Sequence, residues 1–79
     1  MDETPKRVLS TLMIMGSQSP EKAISSADLA EKLGIEKPAL EADIGELGRV
    51  GYVKSFLRDG VSHVYLSMTG IIVASSTYS

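Results

Sequence analysis

The sequence predicts a small α+β domain in which three helices precede a β-hairpin and a C-terminal helix. Apolar residues recur at helical spacing in three segments, and capping residues or prolines stand at their starts. Two strand-like runs, YVKSFL and VSHVYL, flank the pair Asp59-Gly60, a preferred centre of tight hairpin turns. Seventy-nine residues suffice for one small core, so we expect a single domain over residues 1–79.

The composition is that of a globular protein without cysteine chemistry. Hydrophobic residues make up 43% of the chain and charged residues 23%. The absence of cysteine excludes disulfides, thiol catalysis and cysteine-ligated zinc. The apolar runs are far shorter than the ~20 residues that span a bilayer, and the amino-terminal MDETPKR lacks a signal-peptide pattern. We therefore expect a cytoplasmic protein that does not contact a membrane.

The first helix is predicted over residues 5–15. Thr4 is a suitable N-cap, and Pro5 then stands at the first helical position, where a missing N–H has no cost. Gly16 ends the helix. Its inward stripe comprises Val8, Leu9, Leu12 and Met13.

The second helix is predicted over residues 26–33 and the third over residues 38–50. Ser25 and Asp28 have capping-box spacing, and Gly34 is placed to close the second helix in the left-handed conformation. After the short turn that follows, a proline opens the third helix. Its inward positions are Leu40, Ile44 and Leu47.

The hairpin strands are predicted over residues 52–57 and 61–66, and the last helix over 68–76 with Ser67 as its cap. With Asp59 and Gly60 as the turn, one face of the hairpin is expected to point to the core. That inner face comprises Val53, Leu57, Val64 and Leu66. The outer face carries Tyr52, Lys54, Phe56, Arg58, Val61, His63 and Tyr65.

This order of elements resembles the winged helix-turn-helix superfamily of small prokaryotic transcriptional regulators. Four pieces carry the resemblance between residues 5 and about 74: SSADLAEKLGI, KPALEADIGELGRVGYV, RDG and LSMTG. It implies that the third helix enters the major groove of double-stranded DNA and that the hairpin is a wing touching the backbone or minor groove. The residues implicated in DNA binding are Lys37, Ala39, Glu41, Ala42, Gly45, Arg49, Lys54 and Arg58.

The charge of the third helix differs from that of helices that read DNA bases. Residues 36–52 contain four carboxylates and two cations, and Arg49 is the one typical base-reading side chain on the outward face. The net charge of −2 also differs from the basic excess of most nucleic-acid-binding domains. Two hypotheses follow: a transcriptional regulator that contacts DNA mainly through backbone and wing, or a winged-helix module that binds a protein instead. DNA binding would require one surface to collect Lys6, Arg7, Lys37, Arg49, Lys54 and Arg58.

Two groups of residues are candidates for a partner interface. The first is the aromatic group on the outer face of the wing, which is either an interface or a second small core under the C-terminal segment. The second is the apolar C-terminal run, which we expect to support a homodimer. The interface candidates are Tyr52, Phe56, His63, Tyr65, Ile71 and Ile72.

Two glycines and one histidine complete the predictions. Gly48 is expected to let another element pack closely, whereas Gly45 is either a tolerated surface glycine or part of a docking face. His63 has no companion histidine or cysteine, so an ordinary strand histidine is favoured over a metal ligand or catalytic base. We expect no enzyme activity and no cofactor.

Overall fold

The computed structural model describes residues 3–78, and side chains between residues 3 and 76. Its order of helices and strands confirms the predicted α+β class, and a short 3₁₀ turn at Pro20–Lys22 precedes the first strand. The elements are α1 (Glu3–Met15), β1 (Ile24–Ser25), α2 (Ser26–Leu33), α3 (Lys37–Arg49), β2 (Val53–Arg58), β3 (Val61–Leu66) and α4 (Met68–Tyr78). In this part of the chain no helix is long and apolar enough to cross a membrane.

The caps of α2 are those predicted from the sequence. The backbone N–H of Asp28 donates to Ser25 Oγ at 3.1 Å, and Gly34 has the left-handed φ of 69°. Both signals are local, because each involves residues within one helical turn. The helix therefore spans the predicted range, 26–33.

Two other helices begin before their prolines. α1 already includes Glu3 and Thr4, so Thr4 lies inside the helix and the predicted start at Pro5 is wrong. α3 begins at Lys37 and ends at Arg49, one residue earlier at each end than predicted. A proline fits any position of the first helical turn, because none of those N–H groups has an intrahelical acceptor. Proline therefore marks the first turn and not its first residue.

The wing has the predicted register. Val53 pairs with Leu66 and Arg58 with Val61, and the turn residues Asp59 and Gly60 both have positive φ, 53° and 77°, as a type I′ turn requires. β2 nevertheless starts one residue later than predicted. The cause is the backbone of Tyr52, whose N–H donates to the Leu47 carbonyl at 2.9 Å and so closes α3.

The sheet has a third strand that was not predicted from the sequence. β1 pairs antiparallel with β3 through Ile24 opposite Val64 and Ser25 opposite His63, which gives the strand order β1-β3-β2. Two residues are too few for an alternating pattern, so β1 is identified by its pairing alone.

The core lies between the helices and the inner face of the sheet. Leu57 was predicted to belong to it but is 73% exposed, because it lies close to the turn at the tip of the wing. Both hairpin residues beyond it, Arg58 and Asp59, are exposed as well. The core residues are Val8, Leu9, Leu12, Ile24, Leu29, Ala30, Leu33, Leu40, Ile44, Leu47, Val53, Val64, Leu66 and Ala74.

The first turn of α4 is fastened to the turn between α3 and β2. Ser67 caps the helix by accepting the Gly70 N–H at 3.0 Å, its hydroxyl donates to the Gly51 carbonyl at 2.5 Å, and its N–H donates to the Tyr52 carbonyl at 3.1 Å. A Cβ on Gly70 would overlap that Tyr52 carbonyl. The rest of α4 packs chiefly against α1 and not over the wing.

The glycine that permits close packing is therefore Gly70 and not Gly48. A Cβ on Gly48 would lie 3.9 Å from the Val53 carbonyl oxygen, an ordinary contact distance. Both glycines stand near buried helical positions, and only the fold shows that Gly70 is the one that meets another backbone segment.

Candidate nucleic-acid interface

The outward face of α3 is exposed along its length. Leu40, Ile44 and Leu47 are buried as expected, with at most 8% of each residue accessible. Because a helix turns by about 100° per residue, the intervening positions are left to solvent. The exposed residues of this face and the wing include the full predicted DNA-binding set: Lys37, Ala39, Glu41, Ala42, Gly45, Arg49, Lys54 and Arg58.

Both cations of α3 are paired with carboxylates of the same helix. Arg49 Nη2 donates a hydrogen bond to Glu46 Oε1 and forms an ion pair with it. Lys37 Nζ lies 3.9 Å from Glu41 Oε1, one turn further along the helix. Carboxylates therefore offset the positive charge at both ends of the exposed face.

Gly45 does not pack closely against any other residue between positions 3 and 76. A Cβ added there would meet no atom within 4 Å, although glycine costs a helix about 1 kcal/mol relative to alanine. With Ala42 it leaves a strip without large side chains along α3. Both earlier interpretations of this glycine, tolerated surface residue and docking face, agree with this geometry.

The outer face of the wing carries a connected group of side chains, which we call the wing cluster: Phe56, Arg58, His63 and Tyr65. The ring of Phe56 stacks on His63 with centroids 5.7 Å apart and meets Tyr65 edge-on at 6.2 Å. The guanidinium carbon of Arg58 lies 5.1 Å from the centroid of the Phe56 ring. Such aromatic and cation–π contacts stabilise the hairpin locally.

Arg58 also joins the wing to the 3₁₀ turn. Its Nη2 donates to the Pro20 carbonyl at 3.1 Å, across 38 positions of sequence. His63 Nδ1 lies 2.9 Å from the Val61 carbonyl oxygen, so this ring nitrogen is the donor. Tyr52, predicted to join these rings, packs half-buried against the core instead.

The wing also presents a cation without an internal partner. Lys54 is exposed and forms no hydrogen bond or ion pair within the described residues. By contrast, Arg7, another of the six cations expected to converge, donates to the Leu33 carbonyl at 2.9 Å and thus closes α2. The sequence showed these charges but not which of them other parts of the chain would engage.

A shallow polar groove lies beside the wing, between β1 and α2. Charged residues of both signs and His63 line it, together with the end of α1. Its charged residues are Lys22, Asp28, Glu31 and Lys32. No group of three side chains able to hold a metal ion occurs in the part of the chain that the structure describes.

No protein-family model matches this chain, and no curated protein matches its sequence. Solved structures do match its fold. MepR, a transcription regulator of the Staphylococcus aureus multidrug efflux pump MepA, has a TM-score of 0.85 at 14% identity over 99% of this chain and 56% of MepR. TubR from Bacillus megaterium has a TM-score of 0.90 at 14% identity over 99% of this chain and 87% of TubR.

A third structure was solved with a nucleic acid. Streptococcus pneumoniae FabT in complex with DNA has a TM-score of 0.80 at 12% identity over 99% of this chain and 52% of FabT. The chain thus spans about half the length of MepR and FabT. Identities this low establish shared architecture and nothing finer, and on that basis the chain is a winged helix-turn-helix domain.

Proposed function

We propose that this chain binds duplex DNA as a small transcription regulator, with wing and backbone contacts outweighing base reading by α3. The observation that carries the proposal is the contrast between cations. Lys54 on the wing has no partner among the residues that the structure describes, whereas Lys37 and Arg49 on α3 each have a carboxylate within ion-pair distance. The shared fold with FabT, solved in complex with DNA, supports duplex DNA as the ligand class.

Such an interface would bind DNA weakly and in a strongly salt-dependent manner. Phosphate contacts by cations release counterions, so affinity falls as salt rises, with a slope that reports the number of contacts. Few unpaired cations and four carboxylates in the 36–52 segment keep that number small. We therefore expect little discrimination among duplex sequences.

An anisotropy titration with labelled random duplex at several salt concentrations tests the proposal. Lys54→Ala should weaken binding and lower the salt slope by about one unit, the contribution of one phosphate contact. Lys32→Ala removes the same charge from the groove and should leave the slope nearly unchanged. A parent protein that fails to bind even at low salt, or equal slopes for parent and Lys54→Ala, would contradict the proposal.

A protein-interaction module is the second candidate function. Its support is the exposed strip formed by Ala42 and Gly45, where a Cβ added to Gly45 would meet none of the described atoms within 4 Å. Failure of the parent protein to bind DNA at low salt would favour this candidate.

We also propose that the protein forms a homodimer through α4. This helix, Met68–Tyr78, contains no charged residue. Met68 and Ile72, four residues apart and therefore on one face, are 78% and 63% exposed. Ile71, predicted from sequence as an interface residue, instead packs against the core, and Met68 replaces it on the proposed surface.

A further inference from the structure

We propose that Glu46 limits the affinity of α3 for non-cognate DNA by holding the guanidinium of Arg49. This inference rests on the proposed function, duplex DNA binding, and adds to it a residue that limits non-specific affinity. Arg49 is the base-reading type of side chain on the outward face of α3, and Glu46 lies one turn before it.

The geometry makes Glu46 the direct competitor of any DNA acceptor for Arg49. Glu46 Oε1 accepts a hydrogen bond from Arg49 Nη2, and the same two atoms form an ion pair. The side chain of Glu46 is 62% exposed and that of Arg49 is 71% exposed, so burial does not hold the pair together. A phosphate or a base edge that approaches Arg49 Nη2 must therefore displace this carboxylate or share the nitrogen with it.

The strength of the pair sets the size of the effect. Exposed ion pairs within one helical turn are weak and reversible, so the pair lowers affinity by a small factor and does not abolish contact. A random phosphate gains little by replacing one carboxylate with another anion. Glu46 therefore lowers the non-specific affinity of α3 by a small factor.

Two other carboxylates of this segment, Glu41 and Glu36, can be compared with Glu46. Glu41 lies 3.9 Å from Lys37 and so pairs with the other cation of the helix. Glu36 precedes the same helix, is exposed, and makes no ion pair with any residue that the structure describes. Glu36→Gln removes the same charge as Glu46→Gln without releasing a cation, and so serves as the matched control.

A double-mutant cycle on random duplex DNA tests the proposal. Glu46→Gln should tighten binding by about threefold at low salt, the scale of an exposed ion pair, and raise the salt slope by about one unit because Arg49 becomes available to phosphate. In the Arg49→Ala background, Glu46→Gln should do no more than Glu36→Gln does. Circular dichroism of each variant checks that the fold is retained.

Each outcome decides between distinct conclusions. Equal tightening by Glu46→Gln with and without Arg49 would show simple repulsion of phosphate and overturn the proposal. DNA binding by the parent protein with no change in Glu46→Gln would overturn it too, while the proposed function stands. No binding by any variant at low salt would overturn both.

Discussion

Among the described glycines, Gly70 has the least space for an added side chain. An alanine methyl there would overlap the Tyr52 carbonyl, whereas at Gly45 it would meet open space. We expect Gly70→Ala to lower the free energy of unfolding by about 1–3 kcal/mol, the range for overpacked sites. Gly45→Ala, its control, should raise it by about 1 kcal/mol through helix propensity. Denaturant unfolding followed by circular dichroism measures both, and equal stabilities would show that the junction relaxes at no cost.

Leu47 and Leu57 are leucines at a buried and an exposed position, respectively. Leu47 is 3% exposed within the core, and Leu57 is 73% exposed on the wing. Leu47→Ala should cost about 2–5 kcal/mol because it removes buried methyl groups and leaves a cavity. Leu57→Ala should change the free energy of unfolding by less than about 0.5 kcal/mol. Melting temperatures of the two variants in the same buffer separate them, and similar losses would mean that the wing packs more tightly than described.

Residue-level features were predictable from the sequence when their cause was local. The Ser25 cap, the Gly34 terminus and the Asp59-Gly60 turn all depend on neighbours within four positions. Gly70 and Leu57 depend on where distant segments lie, so no spacing in the sequence distinguishes them from Gly48 or Val53. The approach of Gly70 to Tyr52 joins residues 18 positions apart.

At the scale of elements, the wing is held by contacts of Arg58. Its hydrogen bond to Pro20 joins the hairpin to the 3₁₀ turn, and its position over Phe56 adds a contact within the hairpin. Arg58→Ala should therefore speed amide hydrogen exchange near the wing tip while the core amides keep their protection. Lys54→Ala, which lacks such contacts, should leave exchange in β2 and β3 as it is. Unchanged exchange in both variants would show that Arg58 does not fasten the wing.

This dual engagement of Arg58 affects how DNA-binding measurements are interpreted. Loss of affinity in Arg58→Ala combines a lost charge with a loosened hairpin, whereas loss in Lys54→Ala reflects charge alone. Of the site charges, the Arg49–Glu46 pair has the i,i+3 spacing that a sequence shows. The Arg58–Pro20 bond, 38 positions apart, was outside the reach of sequence patterns. The helices and the wing were predictable because each has a regular apolar pattern within its own segment. β1 was not predictable because it is defined only by its pairing with β3, which is distant in sequence.

At the scale of the whole molecule, self-association through α4 is the main prediction. Ile72→Asp places a charge on the uncharged exposed face and should convert a dimer to a monomer in sedimentation at tens of micromolar, a rough range for modest affinities. Leu57→Asp introduces the same charge at another exposed apolar site, on the wing, and should leave the dimer intact. A monomeric parent protein over this range would contradict the prediction.

The hydrogen bonds of Ser67 to Gly51 and Tyr52 connect the proposed dimer helix to the end of α3 and the start of β2. Because Gly70 lies directly against the Tyr52 carbonyl, a tilt of α4 would press on the turn between α3 and β2. The junction would thus transmit allosteric coupling, and such coupling is reciprocal. DNA that fixes the angle between α3 and the wing would also fix the orientation of α4, so a duplex long enough for two copies should strengthen their association.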